Sequence, residues 1–164
     1  MKIEVYRKKK GDFRLPPNLN NYEKSYHSFR WRDAEGELTW FGRKLNIAYN
    51  AVDRHAESDR KNKVALYWEN DKGNKKEYTF WQLSALSNQL ANLLKKEGIK
   101  KGERVFLFLP RLPELYFSFL GILKTGAIAG TLFQAFGPMA LYDRLSISAA
   151  RFFNHNPRTG SACL

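Results

Sequence analysis

The stretch from Val105 to Phe133 constrains this chain more than any other. Val105 to Leu109 is an unbroken apolar run, short enough for a strand buried on both faces, and Pro110 and Pro113 break it. A strongly apolar helix then begins near Glu114, Gly126 ends it, and Ala127 to Phe133 forms a second apolar run. Strand, helix and strand in that order predict a β-α-β unit over residues 104–133, with parallel strands and a right-handed crossover. Leu115 to Phe133 is also the nearest approach to a membrane span, but Lys124, Gly121, Gly126 and Gly130 interrupt it. A helix followed by a buried strand accounts for the same residues with less strain.

Upstream, Asn46 to His55 reads as a helix with Ile47, Ala48, Ala51 and Val52 inward, followed by a polar segment from Glu57 to Asn62. Val64 to Trp68 and Lys76 to Phe80 flank the turn-forming run Asn70-Asp71-Lys72-Gly73-Asn74, which predicts a β-hairpin. Thr79 is placed to cap a long helix with Leu83, Leu86, Leu90, Leu93 and Leu94 on its apolar face, and Gly98 to end it. Residues 1–43 are irregular and aromatic-rich. Tyr22, Tyr26 and Phe29 recur at helical spacing there, so one short amphipathic helix is expected. These aromatics fit either a stacking platform for single-stranded nucleic acid or, the reading preferred here, anchors that pin an extended arm to a larger body. Beyond Leu141 the apolar periodicity fades, and Asn154 to Ser161 reads as coil.

The 164 residues are 43% hydrophobic, which excludes a disordered chain and gives one domain ample core material. The net charge of +12 divides into +4 over residues 1–60 and +8 over residues 61–164, so no separate basic tail is indicated. No apolar stretch follows the Lys8-Lys9-Lys10 run, so no secretory signal is read. Cys163 is the single cysteine, which excludes an intrachain disulfide and a cysteine-based metal site and fits a reducing, cytoplasmic setting.

The common catalytic constellations are missing: no Walker-type loop, no G-x-G-x-x-G, no H-E-x-x-H and no nucleophile elbow. His27, His55 and His155 occupy unlike contexts. Asp53 and His55 would pair only through an unusually tight backbone, and a helix-surface histidine is the simpler reading. Arg111 falls at the carboxyl end of a predicted parallel strand, where open α/β sheets bind ligands; the alternative is a solvent-facing residue in a Pro-x-x-Pro turn.

A colinear set of motifs adds what these residues alone leave open. Lys44-Leu45-Asn46-Ile47-Ala48-Tyr49-Asn50-Ala51-Val52-Asp53-Arg54-His55 resembles a signature near the start of acetyl-CoA synthetases, AMP-forming members of the adenylate-forming enzyme superfamily. Lys63-Val64-Ala65-Leu66, Tyr78-Thr79-Phe80, Gly98 through Val105, Pro110-Arg111-x-Pro113-Glu114 and Gly126-Ala127-Ile128 continue the match, which covers roughly residues 20–146. The resemblance implies a parent activity in which acetate and ATP give acetyl-adenylate and pyrophosphate, and coenzyme A then takes the acetyl group. ATP, Mg²⁺ and CoA would be the parent's cofactors. It also implies an α/β fold: a partial N-terminal subdomain of the adenylate-forming enzyme, with a β-hairpin and a β-α-β unit preceded by an aromatic-rich arm.

In that family the phosphate loop, the residues that hold ATP and acetate, and the C-terminal domain all lie downstream of the matched region. The resemblance therefore implies no catalytic and no metal-binding residue in this chain, and an isolated chain that is inactive and binds none of these ligands well. One binding feature carries over. The family's Phe-Gly-Gly-Phe-like stretch near the CoA nucleotide corresponds to Phe133, Gln134 and Ala135, followed by Phe136. Gln134 and Ala135 keep the backbone groups available and narrow the room for close approach.

The expected organisation is an arm at 1–43, an incomplete N-terminal α/β subdomain of an AMP-binding domain at 44–146, and an aberrant polar tail at 147–164. Back-translating residues 152–164 with permitted codons and reading from the next base can yield Phe-Leu-Ile-Thr-Thr-Pro-Glu-Leu-Ala-Ala-Arg-Val, which is similar to the family's next strand and helix. The tail is accordingly expected to be frameshifted. The expected partners are the parent's small molecules, with no membrane and no specific nucleic acid, and the fragment is expected to self-associate. The competing expectation is a free-standing basic module that binds nucleic acid or a protein partner.

Overall fold

The computed structural model describes residues 14–15 and 19–155, without the side chains of Asn154 and His155. The chain divides into two compact units, Met1–Thr39 and Trp40–Leu164. The first contains helices α1 (Tyr22–Ser28) and α2 (Trp31–Glu35). Asn21 caps α1 by accepting the Lys24 N–H at 2.9 Å, and Asp33 accepts the Arg30 N–H at the start of α2. The expected short helix is present, yet no residue of it is buried: Tyr22 and Tyr26 stack with ring centroids 5.8 Å apart, and Phe29 meets Trp31 edge-on.

The second unit opens with a small antiparallel pair, β1 (Trp40–Phe41) and β2 (Lys44–Leu45). Asn46 Oδ1 then accepts the Tyr49 N–H, and the helix it starts has a π-helical stretch at Tyr49–Asp53 before α3 (Arg54–Ala56). Ala48, Asn50 and Val52 are buried, whereas Ile47 and Ala51, expected inward, face solvent. The wider π turn shifts the phase of the inner face, which brings Asn50 in and turns Ala51 out.

Strands β3 (Val64–Glu69) and β4 (Lys75–Thr79) form the expected hairpin, its turn fixed by Asn70 Oδ1 accepting the N–H groups of Lys72 and Asn74. Thr79 and Gln82 make a reciprocal capping box at the start of α4 (Phe80–Lys96). Gly98, at φ 79°, ends the helix with the Ile99 N–H on the Leu94 carbonyl and its own N–H on that of Lys95. The buried face is Leu83, Ser87, Ala91 and Leu94. Leu93 turns outward, one position off the stripe formed by Leu83, Ser87, Ala91 and Leu94.

The β-α-β unit is β5 (Arg104–Phe108), α5 (Pro113–Thr125) and β6 (Ile128–Thr131), with β5 and β6 parallel. Pro113 occupies the first turn of α5, and Gly126 ends it in the left-handed conformation. β6 is shorter than the apolar run 127–133, since the chain turns away from the sheet after Leu132. No helix among the described residues is long and apolar enough to cross a membrane.

Helix α6 (Pro138–Ile147) leads to β7 (Phe152–His155), which pairs parallel to the other side of β5 and gives the order β6-β5-β7. Asn154 and His155, read as coil, lie in this strand; residues 156–161 are outside the described residues. The pairing rests on main-chain hydrogen bonds, so polar side chains do not forbid it.

Alternation along β5 builds a layer on each face of the sheet. Val105 and Leu107 pack with Leu94, Ile99, Ile122 and Ala127; Phe106 and Phe108 pack with Leu132, Leu141 and Phe153. α4 and α5 approach closely at Gly121, where a Cβ would sit 2.8 Å from the Ser87 carbonyl oxygen. The fold is the expected α/β subdomain.

Candidate functional site

Two parallel strands end beside each other, and their carboxyl ends open into a cleft of about 500 Å³. β5 leaves the sheet through Leu109-Pro110-Arg111. Three constraints hold that exit: Pro110, a tight bond from the Leu112 N–H to the Pro110 carbonyl at 2.7 Å, and the Trp68 indole N–H, which donates to the Arg111 carbonyl at 2.6 Å. The last contact ties the β3–β4 hairpin to the loop that enters α5.

The opposite wall is the exit of β6. Leu132 still donates to the Leu107 carbonyl at 2.9 Å, and the chain then turns, with the Phe136 N–H on the Phe133 carbonyl at 3.0 Å. Gln134 and Ala135 are the central residues of this turn, and neither has a positive φ, so the turn does not need glycine. Phe136 meets Phe133 edge-on and carries the Arg144 guanidinium 4.1 Å from its ring centroid, which fastens the turn to α6.

Phe133 and Gln134 line the cleft together with Arg111, Leu109 and Leu115; Ala135 lies outside its wall. Phe133 is 63% exposed although its carbonyl is held in the turn and its ring meets Phe136. The arrangement offers an apolar floor, a flat aromatic face, an amide and a cation, which suits a planar ligand that bears negative charge.

Asp53 and His55 do not pair. Asp53 Oδ1 accepts from Lys124 Nζ and Ser84 Oγ, each at 2.6 Å, and Lys124 also donates to Asn88 Oδ1 at 2.8 Å. His55 instead packs on Phe80 with centroids 4.9 Å apart. Burial pushes its pKa below the ordinary 6.5, and Arg54 and Arg60 push it further down. Sequence reasoning missed the Asp53–Lys124 pair, although a lone lysine in an apolar helix was a visible signal. Among the described residues, no three His, Cys, Asp or Glu side chains cluster closely enough to hold a metal ion.

A family model described as "AMP-binding enzyme" matches residues 52–159. The acetyl-coenzyme A synthetase of Bacillus subtilis (strain 168) is 53% identical over 136 residues, 82% of this chain and 24% of that protein. The 3-hydroxypropionyl-coenzyme A synthetase of Sulfurisphaera tokodaii is 45% identical over 127 residues, 74% of this chain and 19% of that protein. A crystal structure of a Brucella canis acyl-CoA synthetase superposes with a TM-score of 0.74 at 32% identity, covering 80% of this chain and 24% of that one. The chain thus spans about a fifth to a quarter of the length of these relatives.

Proposed function

Because this chain belongs to the AMP-binding enzyme family, we propose that it supplies the N-terminal α/β part of an AMP-forming acetate–CoA ligase. The 53% identity to an acetyl-coenzyme A synthetase carries this reading. The parent reaction consumes acetate, ATP and CoA and yields acetyl-CoA, AMP and pyrophosphate. Acetate attacks the α-phosphorus of ATP, pyrophosphate leaves, and the CoA thiol then displaces AMP from the acetyl group. Adenylation turns a poor leaving oxygen into a good one.

The cleft at the ends of β5 and β6 is the part of the parent's CoA site that this chain provides. Phe133 gives the nucleotide a face to stack on, and Gln134 gives it an amide within the same cleft. Among the described residues no three His, Cys, Asp or Glu side chains converge, and no Mg²⁺ ligand and no catalytic role are assigned to them. The domain plan is an arm at 1–43, an α/β subdomain at 44–146 and a tail at 147–164. The parent works in the cytoplasm on small molecules. The chain alone is expected to be inactive, because among the described residues there is no Ser/Thr/Gly-rich phosphate loop to stabilise the transferring phosphoryl group, usually the largest catalytic term. Neither the family match nor the relatives support the alternative of a nucleic-acid-binding module.

Acetate-dependent exchange between pyrophosphate and ATP tests this. The 164-residue chain should give none, and a chimera that carries it in place of the matching segment of the Bacillus subtilis enzyme should give exchange. A folded but inert chimera, or exchange by the chain alone, contradicts the proposal.

A further inference from the structure

Arg111 stands apart from the other arginines around the sheet. Arg104 and Arg144 spend their guanidinium groups on main-chain carbonyls, and Arg151 faces Glu103. The Arg111 guanidinium has no hydrogen bond or ion pair among the described residues, although Glu114 follows it by one helical turn. Its main chain, by contrast, is held by Pro110, by the bond from Leu112 to Pro110 and by the Trp68 indole. A fixed backbone under an exposed, unpaired cationic head leaves the guanidinium available to a ligand in the cleft.

Its position gives that head a purpose. Arg111 lines the carboxyl-end cleft, on the wall that faces Phe133 and Gln134. The planar guanidinium matches the oxygens of a phosphate bidentately, which an ammonium cannot do. We infer that Arg111 is the anion anchor of this cleft and binds a phosphate group of a nucleotide whose base lies against Phe133. The inference rests on the reading of the cleft as a nucleotide subsite and extends it by naming the group that recognises charge.

Calorimetric titration of the 164-residue chain with adenosine 3′,5′-bisphosphate, adenosine and inorganic phosphate tests it, using Arg111→Gln, Arg111→Lys and Phe133→Ala beside the unsubstituted chain. The bisphosphate should bind weakly, with Kd roughly millimolar. Arg111→Gln should weaken it by about tenfold or more, the loss expected for a charge-assisted hydrogen bond. Arg111→Lys should fall between the two, and adenosine binding should be the same in all three. Since the guanidinium makes no hydrogen bond or ion pair among the described residues, melting should not change, which separates lost binding from lost folding. Unchanged bisphosphate affinity in Arg111→Gln, with Phe133→Ala still weakening it, overturns the role of Arg111 and leaves the nucleotide subsite standing. Failure of the unsubstituted 164-residue chain to bind either bisphosphate or adenosine overturns both. Equal affinity for inorganic phosphate and bisphosphate overturns the nucleotide part of the inference.

Discussion

Arg104 Nη2 donates to the carbonyl of Ala149 at 2.8 Å, while Nε of the same side chain donates to the carbonyl of Ser148 at 2.7 Å. Arg104 opens β5, and Ala149 is the one non-glycine residue among those described with a positive φ, 47°. The arginine therefore clamps the strained turn that returns the chain from α6 to β7. Ala149→Gly should raise stability by about 1 kcal/mol, since an L-residue in the left-handed region carries a penalty of about that size. Arg104→Ala should lower it by about 1–3 kcal/mol. Urea unfolding of the two variants checks both signs.

The Lys124–Asp53 pair, at 2.6 Å with side chains 8% and 15% exposed, links α5 to the π-helical turn. Removing one partner strands the other charge, so Asp53→Asn or Lys124→Met should each cost about 3–5 kcal/mol. The double variant should cost less than the sum of the singles. A double-mutant cycle by thermal unfolding measures the difference.

Burial and the neighbouring Arg54 and Arg60 lower the pKa of His55 in the folded chain. Above the ordinary value of 6.5, His55 is neutral in both states and contributes nothing to pH dependence. As pH falls through 6.5, the unfolded chain takes up a proton that the folded chain resists, so stability declines, and the decline levels off below the folded pKa. His55→Gln should flatten this segment of the profile. Midpoints of urea unfolding from pH 8 to pH 5, compared between the two proteins, test it.

Apolar surface is left open on the second unit. Ile128 on the edge strand β6 is 54% exposed, and a groove of about 490 Å³ runs between Leu66, Leu83, Tyr116 and Phe119. At roughly 25 cal/mol per Å², covering a few hundred Å² is worth several kcal/mol, and the β6 edge adds a template for strand addition. The chain should self-associate and bind a dye that senses apolar surface. Sedimentation as a compact monomer with little dye binding would contradict this.

What the sequence made legible was local. Thr79, Gly98 and Gly126 each act within a few residues of their own position, so caps and ends could be placed from the letters alone. The unbroken run at Val105 likewise marked a strand covered on both faces. The features that were missed are long-range. Ser87 and Ala91 face α5 because Gly121 lets the helices approach, and Gly130 leaves room for the Phe106 ring on the neighbouring strand. Strand β7 is specified by pairing to β5 rather than by its own side chains. At the site, Arg111 was marked by its place at a strand end and Phe133, Gln134 and Ala135 together by the resemblance; that Arg111, Phe133 and Gln134 share one cleft follows from the parallel register of β5 and β6. The indole of Trp68, which fixes that cleft from the hairpin, had no local signal at all.

The central claim is that this chain lends the parent ligase part of its CoA site and none of its adenylation chemistry. Its most direct test is Phe133→Ala in the chimera with the Bacillus subtilis enzyme, read on the two half-reactions separately. Loss of the stacking face should raise the KM for CoA by about tenfold, on the order of the 1–3 kcal/mol that an aromatic–base stack contributes. Acetate-dependent pyrophosphate exchange should stay at the level of the unsubstituted chimera. An unchanged KM for CoA, or exchange lost together with thioester formation, would contradict the account.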